Sequence, residues 1–154
     1  MAFKSDLLPG WLAERALPGE TLLSWTTVGR PNGGDGDQVR ETTMEEVCTR
    51  RGLEPERQCG PGTTMFLVLT NHRLLLGSRS AVRNRPGQLL AEGPRDDVMV
   101  HYRDVGDLRH LLIEFGDGAW CRVQSGLRVL GRDVAEKNNL NHFTAALGTL
   151  AVEA

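Results

Sequence analysis

The second half of the chain consists of short segments in which apolar residues run together or alternate with polar ones. Residues 65–70 and 73–78 are almost continuously apolar, which is typical of strands covered on both faces. Asn71-His72 between them predicts a tight hairpin. Residues 108–115 alternate instead, which indicates a strand with two distinct faces. One of those faces carries Arg109, Leu111, Ile113 and Phe115.

The remaining β-pattern predicts further strands separated by turn residues. These strands are expected at residues 21–28, 88–92, 98–105 and 119–125. Asp117-Gly118 predicts the hairpin turn that precedes the last of them. The chain is therefore expected to be mainly β, with about seven strands.

Helices are predicted at both ends of the chain. Residues 7–17 form a short helix that begins near Pro9 and stops at Pro18-Gly19. Residues 133–151 form the second helix, because apolar side chains recur there at offsets of three and four. That stripe, expected to cover one end of the bent sheet, consists of Leu140, Phe143, Leu147 and Leu150.

The connection at residues 29–63 is the least strand-like part of the chain. It begins with a glycine-rich PNGGDGD sequence, which predicts a turn. Thr42 or Thr43 is a suitable N-cap for a short helix that reaches Arg51, and Gly52 suits its end. A connection of this length in a compact domain is usually functional or disordered.

Four short motifs resemble those of bacterial pleckstrin-homology-like (PH-like) domains. They are LPGE at 17–20, VLTNHRLL at 68–75, PRDDV at 94–98 and FGDG at 115–118. Their order and spacing make the chain similar to that family over roughly residues 17–147, with 29–63 as an insertion. The resemblance implies a bent antiparallel β-barrel or sandwich of about seven strands capped by a C-terminal helix. It also implies a non-catalytic module that binds partners or self-associates.

The first connection does not support the phosphoinositide binding of eukaryotic members of that family. Those members use a basic cluster around their first hairpin. Here the connection carries Asp35, Asp37 and Glu41, with Arg30 and Arg40 isolated.

Composition and charge narrow the classes of protein. The chain has 154 residues, which predicts one domain, and a net charge of −2, which disfavours a general nucleic-acid binder. Cys48, Cys59 and Cys121 lack the spacing of a zinc site, and a Cys48–Cys59 bridge would need an oxidising compartment. The N-terminal sequence does not resemble a signal peptide, and no apolar run is long enough for a membrane span. These features predict a cytoplasmic protein with reduced thiols and no transmembrane segment.

Two groups of residues are candidates for binding. Arg79, Arg83 and Arg85 share one predicted loop without an acid, so they could clamp a phosphate, a carboxylate or an acidic partner. The alternative is a solvated hairpin tip. Trp120 and Arg122 would face outward if Cys121 faces the core, and an exposed tryptophan would mark an interface. The alternative is burial under the N-terminal helix or the insertion.

No motif in the sequence indicates catalysis, a metal or a cofactor. The histidines His72, His101, His110 and His142 are not spaced as metal ligands, and Asp35-Gly36-Asp37 lacks the rest of a calcium loop. Nor is the GGDGD sequence followed by the lysine of a phosphate-binding loop. The leading hypothesis is an interaction or self-association module. The alternatives are a membrane-surface or small-anion binder that uses the arginine loop and, third, an enzyme or accessory subunit.

Overall fold

The computed structural model describes residues 2–30, 44–53, 64–80 and 82–154, and this part of the chain is mainly β. The main sheet contains strands β1 (Leu22–Gly29), β2 (Thr64–Thr70), β3 (Arg73–Arg79), β4 (Pro86–Pro94), β5 (Met99–Val105), β6 (Leu108–Glu114), β7 (Trp120–Gly126) and β10 (Ala151–Glu153). Its strand order is β10-β5-β6-β7-β1-β2-β3-β4. All neighbours pair antiparallel except β10, which runs parallel to β5. A separate hairpin contains β8 (Arg128–Val129) and β9 (Arg132–Asp133).

Three α-helices lie against this sheet. They are α1 (Leu8–Ala13), α2 (44–50) and α3 (Leu140–Leu147). A 3-10 turn, Ser5–Leu7, precedes α1, and Pro9 occupies the first turn of α1, where a missing N–H costs nothing. Among the helices of the described residues, none is both long and apolar enough to cross a membrane.

Both faces of the sheet are covered, which explains the apolar runs. On the inner face, side chains from β2, β3, β5, β6 and β7 pack against Phe143 and Leu147 of α3. On the outer face, α1 covers Phe66, Val68 and Leu75. A third cluster forms where α2 lies over Leu112 and Trp120. Alternate residues of β2 therefore belong to two different cores.

The strand and hairpin predictions are confirmed within the described residues. β2 and β3 pair through the Asn71-His72 turn, and β6 pairs with β7. Leu111 and Ile113 enter the inner core, while Leu112 faces α2. The helix within the insertion is also present, and Gly52 after it has a φ of +74°, as expected for a helix C-terminus. Its proposed caps, Thr42 and Thr43, and the Asp35-Gly36-Asp37 sequence lie outside the described residues.

Three predictions about the fold are wrong. The C-terminal helix does not span 133–151, because Asn139 at its N-cap and Gly148 at its C-cap both have positive φ. Residues before it form β9 and turns, and residues after it form β10. Nor is the sheet a closed barrel, since within the described residues no ladder joins the edge strands β4 and β10. The N-terminal helix is likewise shorter than 7–17 and ends at Ala13.

The cysteines differ from the expectation of reduced thiols. Cys121 is disulfide-bonded, whereas Cys48 is a buried residue of α2 that takes part in no disulfide. Cys59, the other cysteine of the Cys48–Cys59 bridge considered above, lies outside the described residues.

Candidate functional site

One opening in the sheet lies where β1 and β7 diverge. These strands share a single paired position, Gly29 with Gln124. A cavity of about 230 Å³ lies there, and a second of about 240 Å³ adjoins it. The polar side chains that line one or both cavities come from β1, β2, β3, β7 and the segment before α3. We call the site the Arg79 cleft and define it by Thr27, Arg79, Gln124, Gly126, Lys137 and Asn138.

Arg79 is the last residue of β3, and one N–H group of its guanidinium has no hydrogen-bond acceptor. Its Nε is buried without a hydrogen-bond partner. Burial lowers the pKa of Arg79, and no charged side chain among the described residues offsets that effect. Its cationic carbon lies 6.0 Å from the centre of the Phe3 ring, so an aromatic face is nearby. A cation in this state is ready to accept an anionic ligand.

The opposite wall of the Arg79 cleft is held by hydrogen bonds around Asn138. The Thr27 hydroxyl donates to Asn138 Oδ1 at 2.9 Å, and Asn138 Nδ2 donates to the Gly126 carbonyl at 3.0 Å. The Thr26 hydroxyl donates to the Asn138 carbonyl at 2.7 Å. Gln124 Oε1 is buried nearby and has no donor. The wall is thus fixed, and Gln124 adds a second polar atom that lacks a partner.

The charge of the Arg79 cleft has one sign. Arg79 and Lys137 are the charged residues among those that line the two cavities, and no described Asp or Glu lines either one. Arg79 differs in this respect from Arg73, Arg109 and Arg128, each of which forms an ion pair with a carboxylate. A concave site whose charged lining residues are all cations concentrates anions.

The structure separates the three arginines of the predicted loop. Arg79 belongs to β3 and is half-buried, whereas Arg83 and Arg85 are exposed in the turn at residues 82–85. The Arg83 amide donates to Ser80 Oγ at 3.1 Å, which fixes the turn rather than a binding site. For Arg83 and Arg85, the solvated hairpin tip describes the structure; neither lines the Arg79 cleft.

Trp120 and Arg122 face away from the inner core, as the alternation predicts, but neither is exposed. Trp120 is only 8% exposed because α2 covers it together with Leu112. Arg122 is buried as well. The alternative of burial under the insertion therefore holds, and this face is not a free interface.

Two further polar clusters each contain a histidine. His101 contacts Glu114 at 2.8 Å, and Arg51 contacts the same carboxylate at 2.9 Å. Burial would raise the pKa of Glu114, but hydrogen bonds from Arg51 and His101 outweigh it and lower the pKa. Ser24 Oγ lies 2.6 Å from His142 Nδ1, yet Ser24 is buried and closed to a substrate. Within the described ranges, no group of three or more His, Cys, Asp or Glu side chains could hold a metal.

The sequence indicated Arg79 but not the residues that surround it. Thr27, Gln124 and Asn138 are polar residues at strand ends or before a helix, where such residues are common for structural reasons. Gln124 shares its face of β7 with Arg122, so its polarity gave no separate signal.

Comparison with known proteins adds no relative. No protein-family model matches the chain, and no curated protein matches its sequence.

Proposed function

We propose that this protein is a non-catalytic, PH-like binding module that holds an anionic group of its partner in the Arg79 cleft. The observation that carries the proposal is the buried Arg79 Nε without an acceptor, in a cleft whose described lining contains no carboxylate. Arginine binds phosphate and carboxylate with paired, charge-assisted hydrogen bonds. The shared chemistry of the ligand is therefore a phosphate or a carboxylate.

The energetics favour a ligand over an empty cleft. A buried donor without a partner costs about 1–3 kcal/mol, and more when the group is charged. An anion at Arg79 would satisfy that donor, and Lys137 would add attraction at the mouth of the cleft. Lys137 is exposed, so its contribution should weaken as salt is added.

The PH-like part of the proposal is supported by how two of its motifs meet. Glu20 of the LPGE motif forms an ion pair with Arg73 of the VLTNHRLL motif at 2.8 Å. The described fold also has the expected antiparallel strands and C-terminal helix. A binding rather than catalytic role is supported by the absence of a catalytic motif in the sequence.

We expect Arg79→Gln to weaken anion binding by about tenfold or more, because a charge-assisted bond contributes about 1.5–3 kcal/mol. Two-dimensional amide NMR during titration with inorganic phosphate, and separately with acetate, measures this. Wild-type shifts should concentrate on Gln124, Gly126 and Asn138.

The matched control for this titration is Arg83→Gln, because Arg83 is exposed and outside the cleft. It should bind like the wild type. Equal weakening in both variants would show general charge attraction instead of a site, and unchanged binding in Arg79→Gln would refute the proposal.

The cytoplasmic location stays a proposal, and the Cys121 disulfide makes it testable. We expect alkylation of protein denatured without reductant to label Cys48 and leave Cys121 unlabelled, as peptide mass spectrometry would show. Prior reduction should make Cys121 reactive.

The same labelling on protein taken rapidly from its own cells tests the location. Because disulfide bonds are rare in the cytosol, labelling of Cys121 in that protein would support cytoplasmic residence. Protection there would contradict it.

A further inference from the structure

The β8–β9 hairpin has an unusual residue at its tip. Val129 pairs with Arg132, so Leu130-Gly131 form a two-residue loop, and both have positive φ. Such loops favour Asn, Asp or Gly, because other side chains are strained in the left-handed region. Leu130 is also 97% exposed. This leucine therefore stabilises neither its turn nor the core.

A second apolar side chain projects beside the same cleft. Val82 is 82% exposed in the turn that follows Arg79. Val129, next to Leu130, lines the Arg79 cleft together with Phe3. The hairpin and the turn that follows Arg79 thus adjoin the cleft, and each carries a largely exposed apolar residue.

Cations surround these tips. Arg83 and Arg85 are exposed in the turn, Arg132 is exposed in the hairpin, and Lys137 is exposed in the segment that follows the hairpin. The carboxylates there are fewer: Asp107 is paired with Arg128 at 3.2 Å, Asp133 accepts the Ala135 N–H at 2.9 Å, and Glu136 is exposed. Because the whole chain has a net charge of −2, this basic excess is local. We call this surface the Leu130 face, defined by Val82, Arg83, Arg85, Val129, Leu130, Arg132 and Lys137.

From this arrangement we infer that the Leu130 face docks on an anionic lipid bilayer, with Leu130 and Val82 in the headgroup region and a lipid phosphate in the Arg79 cleft. The last part rests on the proposed function. Basic residues near an anionic membrane gain electrostatic attraction, and apolar side chains gain by entering the interface. Binding of a free phosphate would explain the unpaired donor of Arg79 but not the exposed, strained position of Leu130.

The location of the two exposed apolar residues on separate turns favours a bilayer over a protein partner. Leu130 and Val82 project from separate turns and are largely in solvent. A protein would need a matching pocket for each tip and acids placed between them. A fluid interface accepts isolated apolar tips without such complementarity.

The test is co-sedimentation with phosphatidylcholine vesicles, with and without phosphatidylserine, for the wild type and Leu130→Asn. Asparagine suits the left-handed turn, so this variant should fold at least as well as the wild type. We expect wild-type binding that requires phosphatidylserine and falls with added salt. Leu130→Asn should partition about tenfold less, as expected for loss of a buried apolar side chain. Leu17→Asn, which removes an exposed leucine before β1, should bind like the wild type.

Titration of the same proteins with inorganic phosphate separates this inference from the proposed function. Leu130→Asn should keep phosphate binding because Leu130 does not line the Arg79 cleft. Vesicle binding that is unchanged in Leu130→Asn, or absent in the wild type, would overturn the membrane inference and leave the cleft intact. The membrane inference would also be overturned if the wild type captured an acidic protein through Leu130 and did not bind vesicles. Absence of both phosphate and acetate binding would refute the proposed function, whatever the outcome with vesicles.

Discussion

Replacing Arg73 with methionine should lower the free energy of unfolding by about 3–5 kcal/mol, the usual cost of leaving one member of a buried ion pair without its partner. The Glu20 side chain is 0% exposed and that of Arg73 only 10%. Arg73 Nε and Nη2 donate to the two carboxylate oxygens of Glu20 at 2.8 and 2.9 Å. The variant would keep the carboxylate buried without its main cation.

The ionisation of Glu20 gives this prediction a pH signature. Burial would raise the pKa of Glu20, but hydrogen bonds from Arg73, the Leu17 N–H and the Thr70 hydroxyl outweigh it and lower the pKa to about 2. A lowered folded pKa means that the stabilisation is complete above the unfolded value of 4.5 and is lost as the pH falls towards 2. The stability gap between the wild type and Arg73→Met should therefore narrow below pH 4.5.

Urea unfolding at several pH values measures this effect. Arg128→Met is the matched control, because its ion pair with Asp107 is exposed on both sides and should contribute at most about 1 kcal/mol. Adding Glu20→Gln to Arg73→Met should recover part of the loss, since the unpaired charge is removed. Equal losses in Arg73→Met and Arg128→Met, or no recovery, would contradict a buried pair.

Gly93→Ala should lower the free energy of unfolding by about 3 kcal/mol, at the upper end for overpacking, because the added methyl group would meet backbone atoms. A Cβ at Gly93 would lie 2.9 Å from the carbonyl carbon of Phe115 and closer still to its oxygen. Phe115 is fully buried in the inner core. Here β4 passes against the end of β6, and neither backbone can move without disturbing its ladder.

The control for Gly93→Ala is Gly10→Ala in α1. A Cβ at Gly10 would meet no atom within 4 Å. Alanine should therefore be neutral or stabilise the helix by up to about 1 kcal/mol. The midpoint of urea unfolding, at constant slope, reports both changes. A loss below about 1 kcal/mol in Gly93→Ala would mean that β4 does not approach Phe115 this closely.

The binding residues show how far the sequence alone could go. The sequence predicted a binding site at three arginines because the 79–85 segment contains no acid. In the structure, Arg79 lines the cleft and the other two arginines do not. Which arginine lacks a carboxylate depends on contacts between distant segments, and no spacing rule contains that information. The same limit applies to Glu20 and Arg73, which are 53 positions apart and form the buried pair.

Local signals determined the elements whose causes are local. The Asn71-His72 turn, the alternation of β6 and the Leu140, Phe143 and Leu147 stripe each depend on neighbouring residues, and each is present in the structure. Only the tertiary structure decided the rest: α2 covers Trp120, the last residues pair with β5 as β10, and the sheet stays open. Those outcomes depend on which surfaces meet after folding. Periodicity records that a face is apolar but not what will cover it.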